Sequence, residues 1–434
     1  MIMAMIRPET EMKDSGIEWI GDIPANWRKS KLKYLGVYIN GYAFKPSDWS
    51  ARGRQIIRIQ DLTGSNSGEP NYFNGTLDEK YRVVNGDILV SWAATLDAFI
   101  WTKEDGWLNQ HIFKAVPNEK IVKGYFLWLL KIAMDNMNND DKHGIVMQHV
   151  TIGLFNNYVV PLAPYTEQQA IADYLDETCS KIDEIIAEAK ASIDEYKKLR
   201  QGIIFEAVTK GLDKNVEMKS TSVGWIGTVP SHWRVAKIRQ VAEFYNGDRS
   251  SKYPSGNDIV SEGIIFITSN NLGYIVLNTN ISTNKFITKQ KYDDLGGAKL
   301  RINDIVFCLR GSVGKCAINK TFDEGTIASS LVVIRAKKVD ADYLNYVLQN
   351  HRITDEAIVN AIGIGSLNLA AHDISEFYMP IPPEREMQDI VRYLDDKVGN
   401  VDDLISEKES LINDLEAYKK SLIYEVVTGK RKVV

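Results

Sequence analysis

Cysteine is scarce: 434 residues hold three, Cys179, Cys308 and Cys316. An odd number at this spacing builds neither a disulfide framework nor a zinc site, so all three read as ordinary reduced residues. No apolar run approaches the ~20 residues that span a bilayer; the nearest, Tyr125–Ile132, is far too short. Residues 1–8 carry one arginine and few apolar side chains, too little for a signal peptide. A cytoplasmic protein, with no membrane partner, is therefore expected. Also missing are a Gly-rich phosphate loop, the Asn-Pro-Pro-aromatic motif of amino-methyltransferases, and carboxylate or cysteine partners at ligand spacing for His111, His143 and His149. Gly311-Ser-Val-Gly314 lies between strand-like runs with no helix after it, and Asp78-Glu79-Lys80 reads as a solvated charge run. No catalytic residue, metal ligand or cofactor is expected on this chain.

Two stretches also lack any proline, or any glycine that would stop a helix, for roughly 35 residues. They are copies of each other. Pro161–Thr209 aligns without a gap on Pro380–Thr428 at an offset of 219, and Glu167, Leu175, Asp176, Asp183, Ile186, Ile193 and Glu206 each meet the same residue. Both open on a proline pair, and Thr166 before Glu167 and Gln169 suggests a capping box. Apolar residues recur at three and four: Ile171, Leu175, Ile182, Ile193 in one copy and Ile390, Leu394, Val401, Ile412 in the other. That pattern is a coiled-coil-like stripe on helices of about 40 residues, or about 60 Å, which most simply pack on one another.

The net charge of −5 is not spread evenly. Residues 166–210 hold ten acidic and six basic side chains and residues 384–434 twelve and nine, so the remainder is net positive at +2. The acid sits on the helices, and global charge does not exclude nucleic acid.

A second repeat precedes each helix. Trp19, Ile20, Gly21, Pro24 and Trp27 recur as Trp225, Ile226, Gly227, Pro230 and Trp233 at an offset of 206, so the second variable segment is 13 residues longer than the first. This Trp-x-Pro-x-Trp framework reads as a packing clasp. Between head and helix the halves diverge but keep a rhythm. Strand-like runs cover Gln55–Leu62, Asp87–Trp92 and Asn109–Val116, then Ile264–Ser269, Asp304–Arg310 and Ser330–Ala336. One helix is expected near Lys123–Met137 and one near Asp340–His351. The fold class is α+β: two α/β domains separated by two long antiparallel helices in a head-to-tail, pseudo-twofold duplication. Its parts are an extension at 1–12, expected to be disordered and with Met12 a second candidate start, domains at 13–165 and 213–383, and helices at 166–212 and 384–434.

Several stretches are similar to one family. They include Gly16-Ile-Glu-Trp-Ile-Gly-Asp-Ile-Pro-Ala-Asn-Trp27, Gly41-Tyr-Ala-Phe-Lys-Pro-Ser-Asp-Trp49, Leu108-Asn-Gln-His-Ile-Phe-Lys114, Arg310-Gly-Ser-Val-Gly-Lys315 and Pro164-Tyr-Thr-Glu-Gln-Gln-Ala-Ile171. With the duplicated architecture, they resemble the specificity subunit of type I restriction–modification systems from Lys13 to Lys432. Arg385-Glu-Met-Gln388 departs slightly from Glu167-Gln-Gln169 of the first copy.

The resemblance implies two target recognition domains, each reading half of an asymmetric bipartite sequence in double-stranded DNA, with the helices as a ruler for the spacer. It also implies two methyltransferase subunits docked on the helices, restriction subunits joined through the complex, and S-adenosylmethionine, ATP and Mg held by those partners. A purely structural coiled-coil scaffold, or a remnant of a fused methyltransferase–nuclease, are the alternatives. Asn and Gln suit adenine edges, Arg suits guanine, and Lys and Ser serve phosphates. The candidate DNA contacts are Lys45, Ser47, Arg58, Gln60, Ser91, Trp92, Thr95, Asn109, Gln110, Gln148 and His149 in the first half. Those of the second are Lys252, Tyr253, Ser269, Asn270, Asn271, Arg310, Ser312, Lys315 and Ser366. Docking is expected at Tyr174, Tyr196, Phe205, Glu206, Tyr393, Tyr418, Tyr424 and Glu425, where aromatics lie beside the packing seam.

Overall fold

The structure, a computed structural model, describes residues 4–64, 69–139, 150–279, 282, 284–353, 355 and 369–433. The chain forms two compact units, Met1–Ala189 with Ser410–Val434, and Lys190–Glu409. Each unit holds one globule and a stretch of both long helices.

Unit 1 contains β1 (Gly36–Asn40), β2 (Arg54–Ile57), β3 (Tyr72–Phe73), β4 (Arg82–Val83), β5 (Ile88–Ser91), β6 (Asp97–Ile100), β7 (Gly106–Leu108) and β8 (Ile112–Pro117). They form two sheets, ordered β6-β5-β8-β1 and β3-β2-β7-β4. Helix α1 (Lys123–Asn139) follows, then the long α2 (Tyr165–Lys210). Unit 2 repeats the plan with β9 (Ala242–Asn246), β10 (Ile259–Val260), β11 (Ile264–Ile267), β12 (Lys285–Ile287), β13 (Ile305–Cys308), β14 (Cys316–Ile318), β15 (Gly325–Ile327), β16 (Leu331–Ala336), α3 (Ala341–Gln349) and the long α4 (Glu384–Val427). Its sheets run β9-β16-β13-β14 and β10-β12-β11-β15. In each unit one pair of the smaller sheet is parallel, β2 with β7 and β11 with β15.

The layers follow from alternation. In β13, Ile305 and Phe307 face the helices while Val306 and Cys308 face the second sheet; in β16, Val332 and Ile334 pair off in the same way from Leu331 and Val333. Both strands are apolar on both faces because each is covered twice. Residues Tyr343, Leu344 and Val347 of α3 close the outer layer against Ile204, Val208, Met387, Ile390 and Leu394 of the long helices. In unit 1, Ile57, Val83, Leu89, Leu108 and Ile112 fill the space between the sheets.

The duplication extends to single hydrogen bonds. The Trp27 indole donates to Glu167 on the first turn of α2 at 3.2 Å, and Trp233 to Glu386 on α4 at 2.6 Å. Lys13 bonds the carbonyls of Ala25 and Trp27, as Lys219 does those of Ser231 and Trp233. Trp128 reaches Asp176 at 2.7 Å, and Tyr346 reaches Asp395 at 2.7 Å. An ion pair joins Lys419 to Asp183 between the helices of unit 1 at 2.6 Å, and Arg200 to Asp402 in unit 2. Every partner on the long helices is displaced by 219. In unit 1 Glu167 lies by the far end of α4, through Arg7 whose N–H meets Lys430 O, while Asp183 pairs with Lys419, so the two segments run antiparallel. Unit 2 is antiparallel too: the Tyr343 hydroxyl joins Val208 O to Pro380 O, whereas Arg200 meets Asp402. Gly399 sits within α4 without ending it.

Three expectations are corrected. The strand-like run Gln55–Leu62 is a strand only as far as Ile57, and Ile59–Thr63 forms a short helix. Residues 4–6 are not disordered: Ala4–Ile6 pairs antiparallel with Arg431–Val433, and Arg7 is buried with Nη2 2.7 Å from Glu167. The two strands hold each other because each satisfies the other's edge. No capping box forms at Thr166, since α2 already starts at Tyr165 and the Gln169 amide donates forward to Asp173. Gln168 turns back instead, accepting from Val122 N and donating to Ala163 O. At the equivalent place in unit 2, the Met387 sulfur faces Asp340 N at 3.2 Å.

Replacing Arg7 by alanine removes a part-buried, charge-assisted hydrogen bond of about 1.5–3 kcal/mol. Hydrogen exchange should accelerate in residues 4–7 and 428–433, with protection of residues 219–233 in unit 2 unchanged.

Candidate nucleic-acid interface

Four loops meet at one end of each unit because adjacent strands stop together there. In unit 1 they follow β1, β2, β5 and β7. Tyr42 N bonds Leu108 O at 2.8 Å, Gly41 N bonds Ile112 O at 3.2 Å, and Trp92 N bonds His111 O at 3.4 Å. In unit 2 they follow β9, β11, β13 and β15, joined by Ala328 N to Ile267 O at 2.8 Å, Leu309 N to Ser330 O at 2.8 Å and Gly247 N to Leu331 O at 3.3 Å. The approach is so close that a Cβ on Gly41 would sit 1.9 Å from Asn109 O, and one on Gly247 2.3 Å from Ala328 O. Only glycine fits at either place.

The candidates of the first half gather on these loops. Lys45, Ser47 and Thr95 are exposed, and Arg58, Gln60, Trp92 and Gln110 half-buried. Ser91 and Asn109 are buried and serve the loops themselves, Ser91 through Ala93 O and Asn109 through His111 N. The Arg58 Nε and Gln110 Oε1 are buried without a hydrogen-bond partner. They leave adjacent parallel strand ends, a place where a base edge can complete them. The Trp92 ring stacks on Phe113, centroids 5.8 Å apart.

In the second half Lys252, Asn270, Ser312 and Lys315 are exposed, and Tyr253, Ser269 and Arg310 half-buried. Arg310 Nη2 donates to Ser329 O at 2.6 Å, which ties two loops together. Asn271 is buried: it accepts from Thr268 N at 2.9 Å and donates to Asn284 at 2.8 Å. Asp61 holds the equivalent loop of unit 1 by accepting from Arg58 N at 2.8 Å. Asp248 is a brace that sequence reasoning missed, taking the N–H groups of Ser250 and Gly296 at 2.7 and 2.8 Å. Hydrogen bonds from the Ser250 side chain, then its backbone, hold the Asp248 carboxyl below the usual range. Gln148, His149 and Ser366 lie outside the described residues.

On the helices, Glu206, Tyr393 and Tyr418 are exposed, and Tyr174, Tyr196, Phe205, Tyr424 and Glu425 half-buried. Three of these are engaged within their own unit. Tyr424 donates to Ile20 O at 3.1 Å, Glu425 pairs with Arg431 at 2.7 Å, and the Arg352 guanidinium lies 4.0 Å over the Phe205 ring. A second apolar stripe lies beside the buried seam. Ile182, Ile186 and Ile193 of α2 and Val398, Val401, Ile405 and Ile412 of α4 are buried, yet Ile185, Leu199, Leu404, Leu411 and Tyr418 stand 38–52% exposed. Leu404, Leu411 and Tyr418 are seven residues apart, and Ile185 and Leu199 are the positions 219 before Leu404 and Tyr418. The Asp183–Lys419 pair sets Ile185 level with Tyr418 in unit 1. The Arg200–Asp402 pair sets Leu199 level with Leu404 in unit 2.

Among the described residues, no group of three or more His, Cys, Asp and Glu is placed to hold a metal ion, and no helix is long and apolar enough to cross a membrane. The three thiols are free and buried. Residues 24–195 and 230–414 match the model of the type I restriction modification DNA specificity domain. The chain belongs to that family. Two specificity domains thus lie in one chain, one for each duplicated globule. The chain is similar to the EcoBI specificity subunit of Escherichia coli, 23% identical over 97% of this chain and 89% of that one. It is also similar to the MjaVIII specificity subunit of Methanocaldococcus jannaschii, 25% identical over 82% of each. A chain from a structure described as underlying complex assembly and conformational transition of the type I R-M system shares the fold, with a TM-score of 0.65, 14% identity and 94% of this chain covered against 99% of that one.

One loop position separates the two specificity domains physically. Gly311 adopts φ +82° after β13, and its counterpart after β5 is Ala94 at φ +60°. A Cβ in that region costs about 1–2 kcal/mol, partly offset by the freer unfolded chain of glycine. Ala94→Gly should stabilise unit 1 by about 0.5–1 kcal/mol and Gly311→Ala destabilise unit 2 by a similar amount, as urea denaturation would read.

Proposed function

We propose that this chain is the DNA-recognition subunit of a type I restriction–modification complex, each specificity domain reading one half of an asymmetric bipartite duplex target. The observation that carries the reading is a frame repeated bond for bond beneath loops that differ. The frame fixes where the loops meet, and the loops differ in the side chains that can meet a base edge: Arg58 and Gln110 in one unit, Asn270 and Arg310 in the other. Two different readers on one frame suit two different half-sites. The chain works without catalysis of its own. S-adenosylmethionine belongs to two methyltransferase subunits, which flip and modify an adenine in each half-site. ATP and Mg belong to restriction subunits in the same complex.

The long helices carry the methyltransferases, and their length sets the spacer. The exposed second stripe favours this reading over a bare scaffold. A helix pair already closed by one apolar seam keeps large side chains in water only at a cost, unless further helices cover them. Tyr393 and Tyr418 lie exposed for such contact, whereas Phe205, Tyr424 and Glu425 close their own units.

The pure chain should bind duplex DNA with a steep salt dependence and transfer no methyl group from S-adenosylmethionine. Methylation-site mapping in cells carrying the methyltransferase partner should show Arg58→Ala or Gln110→Ala relaxing one base of one half-site, about 1–3 kcal/mol each, with the other half-site intact. Methyl transfer by the chain alone, or unaltered sites in both variants, would count against the reading.

Docking has its own test. Leu411→Asp with Tyr418→Asp should abolish methyltransferase capture by a chain that still melts cooperatively, while Phe205→Ala and Tyr424→Ala lower the melting temperature instead.

A further inference from the structure

The two units part company beside the recognition loops. In unit 2 a cleft of about 950 Å³ begins at Gly247–Lys252 and runs along β9 past Gly296 and Gly297 to Arg335. Five basic side chains line it, Arg249, Lys252, Lys299, Arg301 and Arg335, against two carboxylates, Asp248 and Asp294. The loops that form its walls are braced. Asp248 spans them through Ser250 N and Gly296 N, and Gly297 packs so tightly on Asp248 that a Cβ there would lie 2.3 Å from its backbone nitrogen.

The five cations divide by what they already do. Arg335 is committed, with Nε and Nη2 each 2.7 Å from the buried Asp304 and its guanidinium 4.7 Å over the Tyr245 ring. Lys299 bonds the Tyr292 carbonyl and rides 3.8 Å over its ring. Arg249, Lys252 and Arg301 are exposed, and none of the three charged ends has a carboxylate or hydrogen-bond partner among the described residues. Three free cations on a rigid concave wall, with two more fixed behind them, make an anion track several phosphates long rather than a socket for one ion.

Unit 1 keeps fewer cations at the equivalent places: Ala43 stands for Arg249, and Lys45 is the exposed cation beside the place of Lys252. Arg301 corresponds to Val84 in sequence, and on paired strands of the same register Arg335 corresponds to Val116 and Tyr245 to Ile39. Val84 and Val116 are exposed valines. The counterpart of Lys299, Arg82, is spent on Asp105 and Glu79. Where Asp248 braces loops in unit 2, Tyr42 packs on Tyr81 and Phe44 in unit 1, centroids 5.7 and 5.0 Å apart.

We infer that the Arg249–Lys252–Arg301 cleft holds the phosphate backbone of duplex DNA flanking the second half-site, a contact that the first unit lacks. The inference rests on the proposed DNA-recognition role. It adds that the two half-sites are gripped unequally: sequence-independent affinity is concentrated on unit 2, and unit 1 depends more on its base-edge contacts. Phosphate contacts position without specifying, so the effect is uniform across sequences.

The test is a fluorescence-anisotropy titration of the full chain with a random-sequence duplex of about 40 base pairs, from low to moderate salt. Arg249→Ala with Arg301→Ala should lower the slope of log K against log salt by about 1 per phosphate lost, near 2 in all, and weaken binding at least tenfold at low salt. Arg249→Lys with Arg301→Lys should restore most of the slope, and Val84→Ala with Val116→Ala in unit 1 should leave it unchanged. All three are surface changes, and an unaltered melting temperature is expected of each. Duplex binding by the wild type that persists with the same slope in the alanine variant overturns the cleft and leaves the recognition role standing. No duplex binding by the wild type overturns both. Thermal stabilisation of the wild type by millimolar inorganic phosphate, lost in the alanine variant without any effect on duplex binding, would mark a small-anion site and also overturn the inference.

Discussion

Each unit hangs from one hydrogen bond, the indole N–H of a buried tryptophan given to a glutamate on the first turn of a long helix. Trp27 with Glu167 and Trp233 with Glu386 fix the point and the angle at which α2 and α4 leave their globules. The carboxylate suits that place twice over, since the first turn of a helix presents unsatisfied N–H groups and a positive dipole end. The tryptophan itself is closed on the other side: Lys13 or Lys219 ties the carbonyls around it, and each ring is at most 1% exposed. A helix held at its first turn can lie on a sheet in one way only. Trp128–Asp176 and Tyr346–Asp395 then repeat the attachment about two turns further on. What pairs downstream, Asp183 with Lys419 and Arg200 with Asp402, depends on this entry being the same in both copies.

Much of this was legible in the sequence, and the physical reason is periodicity. The ungapped match at 219 predicts two helices over 166–212 and 384–434, and α2 and α4 run Tyr165–Lys210 and Glu384–Val427. The strand-like runs at Asp87–Trp92 and Asp304–Arg310 are β5 and β13, buried along their whole length because they are covered on both faces. The convergence of four loops could not be read, because it depends on which strands neighbour each other. A parallel pairing of β2 with β7 leaves no local trace. For the same reason Asn271, a good base reader by type, is a buried brace, and so are Ser91 and Asn109. A side chain's type names its chemistry; only its surroundings say whether that chemistry is already used. Lys252 was legible as a candidate contact, but its grouping with Arg249 and Arg301 was not, because 301 lies some fifty residues further along the chain and joins them only in the folded unit.

Residues 4–6 make the same point from the other direction. They have no counterpart in the repeat at 206, so nothing in the pattern assigns them structure. The end of α2 continues through residues 211–217 into the head of unit 2, and the end of α4 leads into Arg431–Val433. The strand Ala4–Ile6 on Arg431–Val433 supplies by hydrogen bonds what unit 2 has by covalent connection. Arg7 then adds a cation to Glu167, which also accepts from Asn26, the counterpart of the His232 that meets Glu386 at 2.7 Å. The two clasps are equivalent in geometry and differ in this added partner.

The division of labour between frame and loop explains how far the halves can diverge. Bonds that recur at the fixed offsets lie around the clasp tryptophans, along the long helices and at close glycine approaches, where a change of one atom is felt. The loops above them are braced by different means: Asp61 against Asn271, Tyr42 against Asp248, Ala94 against Gly311. Each pair does one mechanical job with different chemistry. Once the mechanical job is met by any of several residues, the outward side chains can change without cost to the fold. That freedom is what a chain needs if one architecture is to carry two unlike readers, and it reaches further than base choice. It extends to the ground beside the loops, where one unit has packed aromatic rings and exposed valines and the other a basic cleft.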